Sequence, residues 1–141
     1  MKNLTVCLGL AVSMAACNKA KTDMSAEAVA VAVAKVSVEQ LAEQLKSSAP
    51  PTIFDANGDS TREQYGTIPG AKLLESSSNY DVHATLPSNQ NSDLVFYCAN
   101  TSCSSAEGAA QRAVEAGYKK VSVLPQGIRG WVDAGQPTNR I

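Results

Sequence analysis

Two cysteines lie close together in the segment LVFYCANTSCSSAEG, which runs from Leu94 to Gly108. Cys98 ends an apolar run, and Cys103 follows five positions later. A cysteine can act as a nucleophile, form half of a disulfide, bind a metal ion or serve as a small buried apolar residue. These four roles need different surroundings, so the elements that position the two thiols decide between them.

The segment predicts a strand, a short polar loop and a helix. The apolar run 94–97 is typical of a central parallel strand that is covered on both faces. The following pattern predicts a helix that begins near Ser104, where Ser104 and Glu107 have capping-box spacing, and ends at Gly117. Cys98 would then lie at the carboxyl end of a strand, where open α/β sheets bind ligands.

The start of the predicted helix favours a negative charge on Cys98. Free backbone N–H groups and the positive end of the helix dipole face the loop there, and such surroundings favour a thiolate. Cys98 is therefore the candidate catalytic nucleophile. A thiolate or persulfide on it would be bound by backbone N–H groups of the loop, so six residues are candidate substrate-binding residues: Ala99, Asn100, Thr101, Ser102, Cys103 and Ser104.

Two other roles for Cys98 are weaker but stay open. It could be a small buried apolar residue with no chemistry. A metal site would need ligands beyond Cys98 and Cys103, and the only histidine, His83, lies in an irregular polar segment that we predict to be on the surface. We expect no metal and no cofactor.

The rest of the chain from Val36 alternates between strand and helix patterns. Ser37 and Gln40 have capping-box spacing at the start of the first predicted helix. Strands that alternate with helices predict a single α/β domain with a parallel sheet and helices on both faces. Further strands are predicted at 52–55, 70–74 and 120–124, and further helices at 60–65, 82–86 and 127–135.

Bulk composition limits the function classes. The 141 residues are enough for one domain, and 44% of them are apolar. A formal net charge of −1 and an aromatic content of 5% give no reason to expect nucleic-acid binding.

The first residues have the layout of a secretory signal: Lys2, a short apolar run and then small residues. MAAC, which ends at Cys17, resembles the lipobox of bacterial lipoproteins. This resemblance implies that 1–16, including Cys7, is a signal peptide and that Cys17 is lipidated. The domain organisation is then a lipidated tether at 17–35 and a folded domain at 36–141.

The implied location is the bacterial cell envelope, with the domain facing the periplasm. Asn18 stands where an inner-membrane lipoprotein carries Asp, which favours the outer membrane. Cleavage that frees a soluble periplasmic protein is the alternative. Either location is oxidising, so two free cysteines there need an explanation.

Three motifs, in order, resemble the rhodanese family of sulfurtransferases. DANGDSTREQYGTIPGA (55–71) resembles its Asp-x-Arg, short helix and Gly-His-Ile-Pro-Gly-Ala pattern. VFYCANTSCSSA (95–106) resembles its active-site loop, and AGYKKVSVLPQGIRGWVDAGQPT (116–138) resembles its ending. The resemblance covers about 36–138 and implies a five-stranded parallel sheet. It also implies that Cys98 takes a sulfane sulfur from a small donor, carries it as a persulfide and passes it to a thiol or cyanide.

The chain departs from that family at several positions. Cys103 replaces the loop arginine, Thr67 replaces a histidine, and Asn57 replaces the arginine of Asp-x-Arg. Without the loop arginine we expect weak binding of doubly charged thiosulfate. Phosphatase relatives need an arginine one loop residue later, where this chain has Ser104, so we expect no phosphatase activity. Arg62 and Arg129 could supply charge, but we predict both to be solvated surface residues.

Three functions therefore stay open. The first is a sulfurtransferase that uses Cys98. The second is a dithiol redox variant, in which Cys103 is a candidate resolving thiol that attacks the Cys98 persulfide and closes a disulfide. The third is a catalytically degenerate binding domain.

Overall fold

Five parallel strands form one sheet in the computed structural model, which describes residues 32–141. The predicted signal peptide and Cys17 lie outside the described residues. Strands and helices alternate along the chain in this order: β1 Ala34–Lys35, α1 Val38–Leu45, β2 Thr52–Asp55, α2 Asp59–Tyr65, β3 Lys72–Leu73, α3 Val82–Thr85, β4 Asp93–Tyr97, α4 Ser105–Glu115, β5 Lys120–Leu124 and α5 Gly127–Asp133.

The strand order in the sheet is β1-β5-β4-β2-β3, so β4 is the central strand. Val95 of β4 is paired with Ile53 of β2 on one side and with Ser122 of β5 on the other. The prediction that the apolar run before Cys98 is a central strand is therefore confirmed. β1 lies within the segment assigned to the tether, and it pairs with β5 at the sheet edge.

Side chains of β4 alternate between two apolar layers, as the two-residue period of a strand requires. Leu94, Phe96 and Cys98 face the layer of α3 and α4. Val95 and Tyr97 face the opposite layer, which contains buried residues of α1 and α5. Helices on both faces of the sheet confirm the predicted fold class.

Helix α4 packs closely on the sheet because small side chains form its inner stripe. Its buried residues are all alanines: Ala106, Ala109, Ala110 and Ala113. Gly117 closes the C-terminal end of the helix as predicted, with a φ of 96°. Its N–H donates to Val114 O (2.9 Å), and the N–H of Tyr118 donates to Ala113 O (3.1 Å), which is a Schellman arrangement.

The two predicted capping boxes have different outcomes. Ser37 and Gln40 form the box at the start of α1, with both reciprocal hydrogen bonds present. Ser104 is the N-cap residue of α4, but its side chain makes no capping hydrogen bond, so that prediction was wrong. The φ and ψ of Ser104 (−97° and 1°) differ from the extended backbone that a capping side chain needs.

Between residues 32 and 141, no helix has the length and apolar character needed to cross a membrane.

Candidate active site

A disulfide joins Cys98 and Cys103, whose Cα atoms are 6.3 Å apart. Cys98 lies directly after β4 and is only 3% exposed, whereas Cys103 is half-buried. The bond therefore connects the carboxyl end of the central strand to the residues that precede α4. Of the roles considered for Cys98, the structure shows the disulfide directly.

Hydrogen bonds within the loop keep Cys103 near Cys98. The side chain of Asn100 accepts from the N–H of Ser102 (2.9 Å), and its backbone carbonyl accepts from the N–H of Cys103 (3.1 Å). Cys103 presents its carbonyl oxygen, and not its amide, to Cys98: this oxygen lies 3.2 Å from Cys98 Sγ. In the disulfide form, two of the loop's predicted amide donors are thus engaged inside the loop.

The start of α5 holds the other end of the loop. The N–H groups of Ile128 and Arg129 donate to the carbonyls of Cys98 (2.8 Å) and Ala99 (3.0 Å). Gly127 makes this approach possible, because its φ is 61° and a Cβ there would overlap the backbone of Cys98 and Ala99. The backbone of Cys98 is therefore fixed from outside its own loop.

A buried charged cluster lies on the opposite side of β4 from the sulfur. Asp55, at the end of β2, is fully buried, and Arg62 is only 6% exposed. Arg62 Nε lies 3.6 Å from Asp55 Oδ1, and its Nη2 donates to the carbonyls of Asp55 (3.2 Å) and Leu74 (3.0 Å). The prediction that Arg62 is a solvated residue was wrong, since the carboxyl ends of β2 and β3 supply it with acceptors.

Tyr97 connects this cluster to the strand that carries Cys98. Its hydroxyl donates to Asp55 Oδ2 (2.7 Å) and accepts from the N–H of Ile68 (3.1 Å). Burial raises the pKa of Tyr97 far above its ordinary value, and the negative charge of Asp55 raises it further. Sequence reasoning missed this cluster, although an aspartate that ends an apolar strand is a usable signal for a buried polar role.

Arg129 is exposed, as predicted, and lies beside the loop. Its guanidinium is 5.9 Å from the centre of the Tyr65 ring. A shallow cavity next to the loop is lined by Asn100, Thr101 and Arg129, and also by Asp133. Because this cavity carries both signs of charge, it does not form a dedicated site for a dianion.

His83 is exposed, which confirms its predicted place on the surface. In the part of the chain that the structure describes, no group of three histidine, cysteine or acidic residues is placed to bind a metal ion.

The family model for the rhodanese-like domain matches residues 37–134 of the chain. This chain belongs to the rhodanese-like domain family. A search of curated proteins returns no sequence match. The match runs from the N-cap residue of α1 to the residue after α5, and it includes both loop cysteines.

Solved structures show the same fold. The rhodanese-like domain from Anabaena sp. is 25% identical, with a TM-score of 0.62, and the match covers 76% of this chain and 79% of that one. A rhodanese-like domain protein from Staphylococcus aureus is 23% identical, with a TM-score of 0.58, and the match covers 76% and 99%. A protein of unknown function from Rhodopseudomonas palustris, described as a possible tyrosine phosphatase, is 23% identical, with a TM-score of 0.61 and coverage of 76% and 85%.

Two positions at which the chain departs from the rhodanese motifs are buried. Thr67 forms a backbone bridge with Asn139, in which each N–H donates to the other residue's carbonyl. The backbone N–H of Asn57 donates to Asp55 Oδ1 (2.7 Å), while its side-chain Nδ2 has no acceptor among the described residues. The backbone groups of both residues thus form hydrogen bonds near the carboxyl edge of the sheet.

Proposed function

We propose that this rhodanese-like domain is a sulfurtransferase that carries a sulfane sulfur as a persulfide on Cys98. The observation that carries the proposal is the position of Cys98. It directly follows the central strand, its carbonyl is held by the N–H of Ile128, and a short loop connects it to α4. A nucleophile for group transfer needs such a fixed backbone beside a loop that can change shape.

The transfer begins from the reduced protein, because a sulfur in a disulfide is not a nucleophile. The Cys98 thiolate attacks the outer sulfur of the donor, the sulfur–sulfur bond of the donor breaks, and the remainder of the donor leaves as an anion. An acceptor thiolate then attacks the outer sulfur of the persulfide. It leaves with that sulfur, and the Cys98 thiolate is restored.

The charges near the loop favour a donor with a single negative charge. Cys103 occupies the loop position of the family's arginine, Arg62 is committed to Asp55, and Arg129 shares its cavity with Asp133. An organic persulfide or a thiosulfonate, whose reacting group carries one negative charge, therefore suits the site better than doubly charged thiosulfate.

We also propose that the domain works at the cell envelope, anchored through a lipid on Cys17 and facing the periplasm. The support is the sequence before the domain: a basic start, a short apolar run and MAAC. Expression of the full chain with globomycin-sensitive processing as the readout tests this proposal, and a chain that stays in the soluble fraction with Cys17 unmodified would contradict it.

Intact mass spectrometry after exposure of the reduced protein to a series of sulfane donors tests the transfer itself. We expect the mass of wild type to change on exposure to the donor. The Cys103→Ser protein should gain the mass of one sulfur atom, which cyanide removes. Cys7 and Cys17 are replaced by Ser in every variant, and Cys98→Ser is the matched control, which should gain no sulfur. If no donor loads the folded Cys103→Ser protein, the domain is not a sulfurtransferase and the degenerate binding domain is the better description.

A further inference from the structure

We propose that Cys103 is the built-in acceptor for the sulfur on Cys98, so that the domain reduces sulfane sulfur to hydrogen sulfide and ends each cycle in the Cys98–Cys103 disulfide. This inference rests on the proposed function, because it needs a persulfide on Cys98. It adds a reductive activity, and it implies a dithiol reductant as a partner.

The first support is that the two sulfurs are placed to react with each other. The disulfide shows that the loop brings them within bonding distance, with Cα atoms 6.3 Å apart. Contacts other than the disulfide also hold this geometry: the turn at Asn100 holds Cys103, and the amides of Ile128 and Arg129 hold Cys98 and Ala99. These hydrogen bonds do not need the disulfide, so the reduced loop keeps the Cys103 thiol beside Cys98.

The second support is the orientation of Cys103. Its carbonyl oxygen lies 3.2 Å from Cys98 Sγ, and its N–H is occupied by Asn100. A carbonyl oxygen repels a negatively charged sulfur, whereas a backbone N–H would stabilise it. A loop with this arrangement stabilises a lasting persulfide poorly and favours the neutral disulfide.

The proposed step balances without an external oxidant. The Cys103 thiol loses its proton to solvent, and its thiolate attacks the inner sulfur of the persulfide, which is Cys98 Sγ. The Cys98–Cys103 bond forms, the bond to the outer sulfur breaks, and that sulfur leaves with the electron pair as HS⁻. The sulfane sulfur has gained two electrons, and the two cysteines have lost them.

The return step needs two electrons from a dithiol reductant, and exposure decides which sulfur the reductant attacks. Cys98 is 3% exposed, while Cys103 is half-buried. A thiolate of the reductant therefore attacks Cys103 and releases the Cys98 thiolate. The second thiol of the reductant then frees Cys103 and leaves the reductant oxidised. A reductant whose second cysteine is replaced by Ser should accordingly be trapped on the oxidised wild-type domain, in a mixed disulfide at Cys103.

The experiment uses the full chain with Cys7 and Cys17 replaced by Ser, so that only the two loop thiols react. The reduced protein is freed of reductant and mixed with benzenethiosulfonate, whose remainder leaves as a sulfinate. Any sulfide must then come from a resolved persulfide. We expect wild type to release one sulfide per chain and to lose the mass of two hydrogens. Cys103→Ser should release none, keep the extra sulfur on Cys98 and yield thiocyanate with cyanide.

A thiol moved by one position tests whether placement matters. In Ser102→Cys/Cys103→Ser, the thiol is on the exposed neighbouring residue, whose N–H is held by Asn100. We expect its rate of sulfide release to be at least about tenfold lower than that of wild type, since intramolecular attack depends on alignment. Equal rates would overturn the assignment of Cys103 as a positioned resolving thiol.

The outcomes separate this inference from the proposed function. If Cys103→Ser and wild type both load and both keep the persulfide, the sulfurtransferase proposal stands and the reductive step is wrong. If peptide mapping finds the persulfide of wild type on Cys103, attack occurs at the outer sulfur, and the reductive step is again wrong. If folded Cys103→Ser fails to load, the proposed function itself fails.

Discussion

The backbone of Gly127 lies against the carbonyl groups of Cys98 and Ala99, closer than a residue with a side chain could come. A Cβ at 127 would be 2.6 Å from the carbonyl carbon of Ala99, and its φ of 61° also disfavours other residues. This approach lets the amides that follow Gly127 hold the loop. The loop position thus depends on a glycine that is distant from it in sequence.

Gly127→Ala should consequently destabilise the protein and displace the loop. We expect a loss of about 2–4 kcal/mol in the free energy of unfolding, from overlap added to backbone strain. Gly135→Ala is the matched control, because its φ is 72° and a Cβ there meets nothing within 4 Å. It should cost about 1 kcal/mol. Urea unfolding measures both, and equal losses would show that the contact with the loop contributes nothing.

Tyr97→Phe should destabilise the protein at neutral pH. The change leaves the buried Asp55 Oδ2 and the N–H of Ile68 without their partner, which should cost about 1–3 kcal/mol. Tyr65→Phe is the control, since its ring is half-buried at the end of α2. Urea unfolding at pH 7 compares the two variants, and a loss in Tyr65→Phe as large as that in Tyr97→Phe would contradict the assignment.

The stability of wild type should also fall at alkaline pH. The folded protein keeps the proton of Tyr97 where the unfolded chain loses it, and burial likewise raises the pKa of Tyr80 to about 12. The contribution of these two tyrosines to stability is therefore constant below about pH 10 and falls above it, by up to about 1.4 kcal/mol per pH unit for each tyrosine. Tyr97→Phe should fall less steeply than wild type. The two proteins compared, with and without Tyr97→Phe, both carry Cys98→Ser and Cys103→Ser to prevent thiol exchange in the loop, and parallel curves would contradict the prediction.

Replacement of Arg62 should reveal how much its positive charge offsets the cost of burying the Asp55 carboxylate. Arg62→Met leaves a fully buried carboxylate without its cation, so we expect a loss of about 3–5 kcal/mol. Arg62→Met/Asp55→Asn should be less destabilised than the sum of the two single variants, because the charge has also gone. Arg129→Met, at an exposed site, is the control and should change stability little. Additive losses in the double variant would show that the pair is not coupled.

Replacement by Ala of the N-cap serines of α1 and α4 should have different effects on stability. Ser37→Ala removes a side chain that accepts from the N–H of Gln40 (3.2 Å), and it should cost about 1 kcal/mol. Ser104→Ala removes a side chain that makes no capping hydrogen bond, and it should leave thermal stability close to wild type. Calorimetry of the pair tests this contrast, and a larger loss for Ser104→Ala would reverse it.

Periodic patterns made much of this fold predictable. The apolar run before Cys98 predicted the central strand, and the alanine stripe that ends at Gly117 predicted α4 and its C-terminus. Such features depend on neighbours in sequence and on the burial of one face, both of which are visible in a single chain. The edge strand Ala34–Lys35 lies in the segment assigned to the tether and was not predicted, since its partners in the sheet, Ser122 and Val123, are distant in sequence.

The site was less predictable because its contacts join distant residues. Nothing near Arg62 indicates that its acceptors are the carbonyls of Asp55 and Leu74, and nothing near Cys98 indicates that Ile128 holds it. The failed capping box at Ser104 has the same origin. Ser104 directly follows Cys103, whose sulfur is bonded to Cys98, and a local capping pattern contains no information about such a contact.

The disulfide spans only five positions and joins elements that are already consecutive along the chain. It crosses no boundary between the two apolar layers, and the strand pairing of β4 with β2 and β5 does not involve it. Opening the bond should therefore leave the sheet and its helices intact. Electron exchange at the loop is in this way uncoupled from unfolding, and a domain with this layout could alternate between its two oxidation states through many rounds without a chaperone.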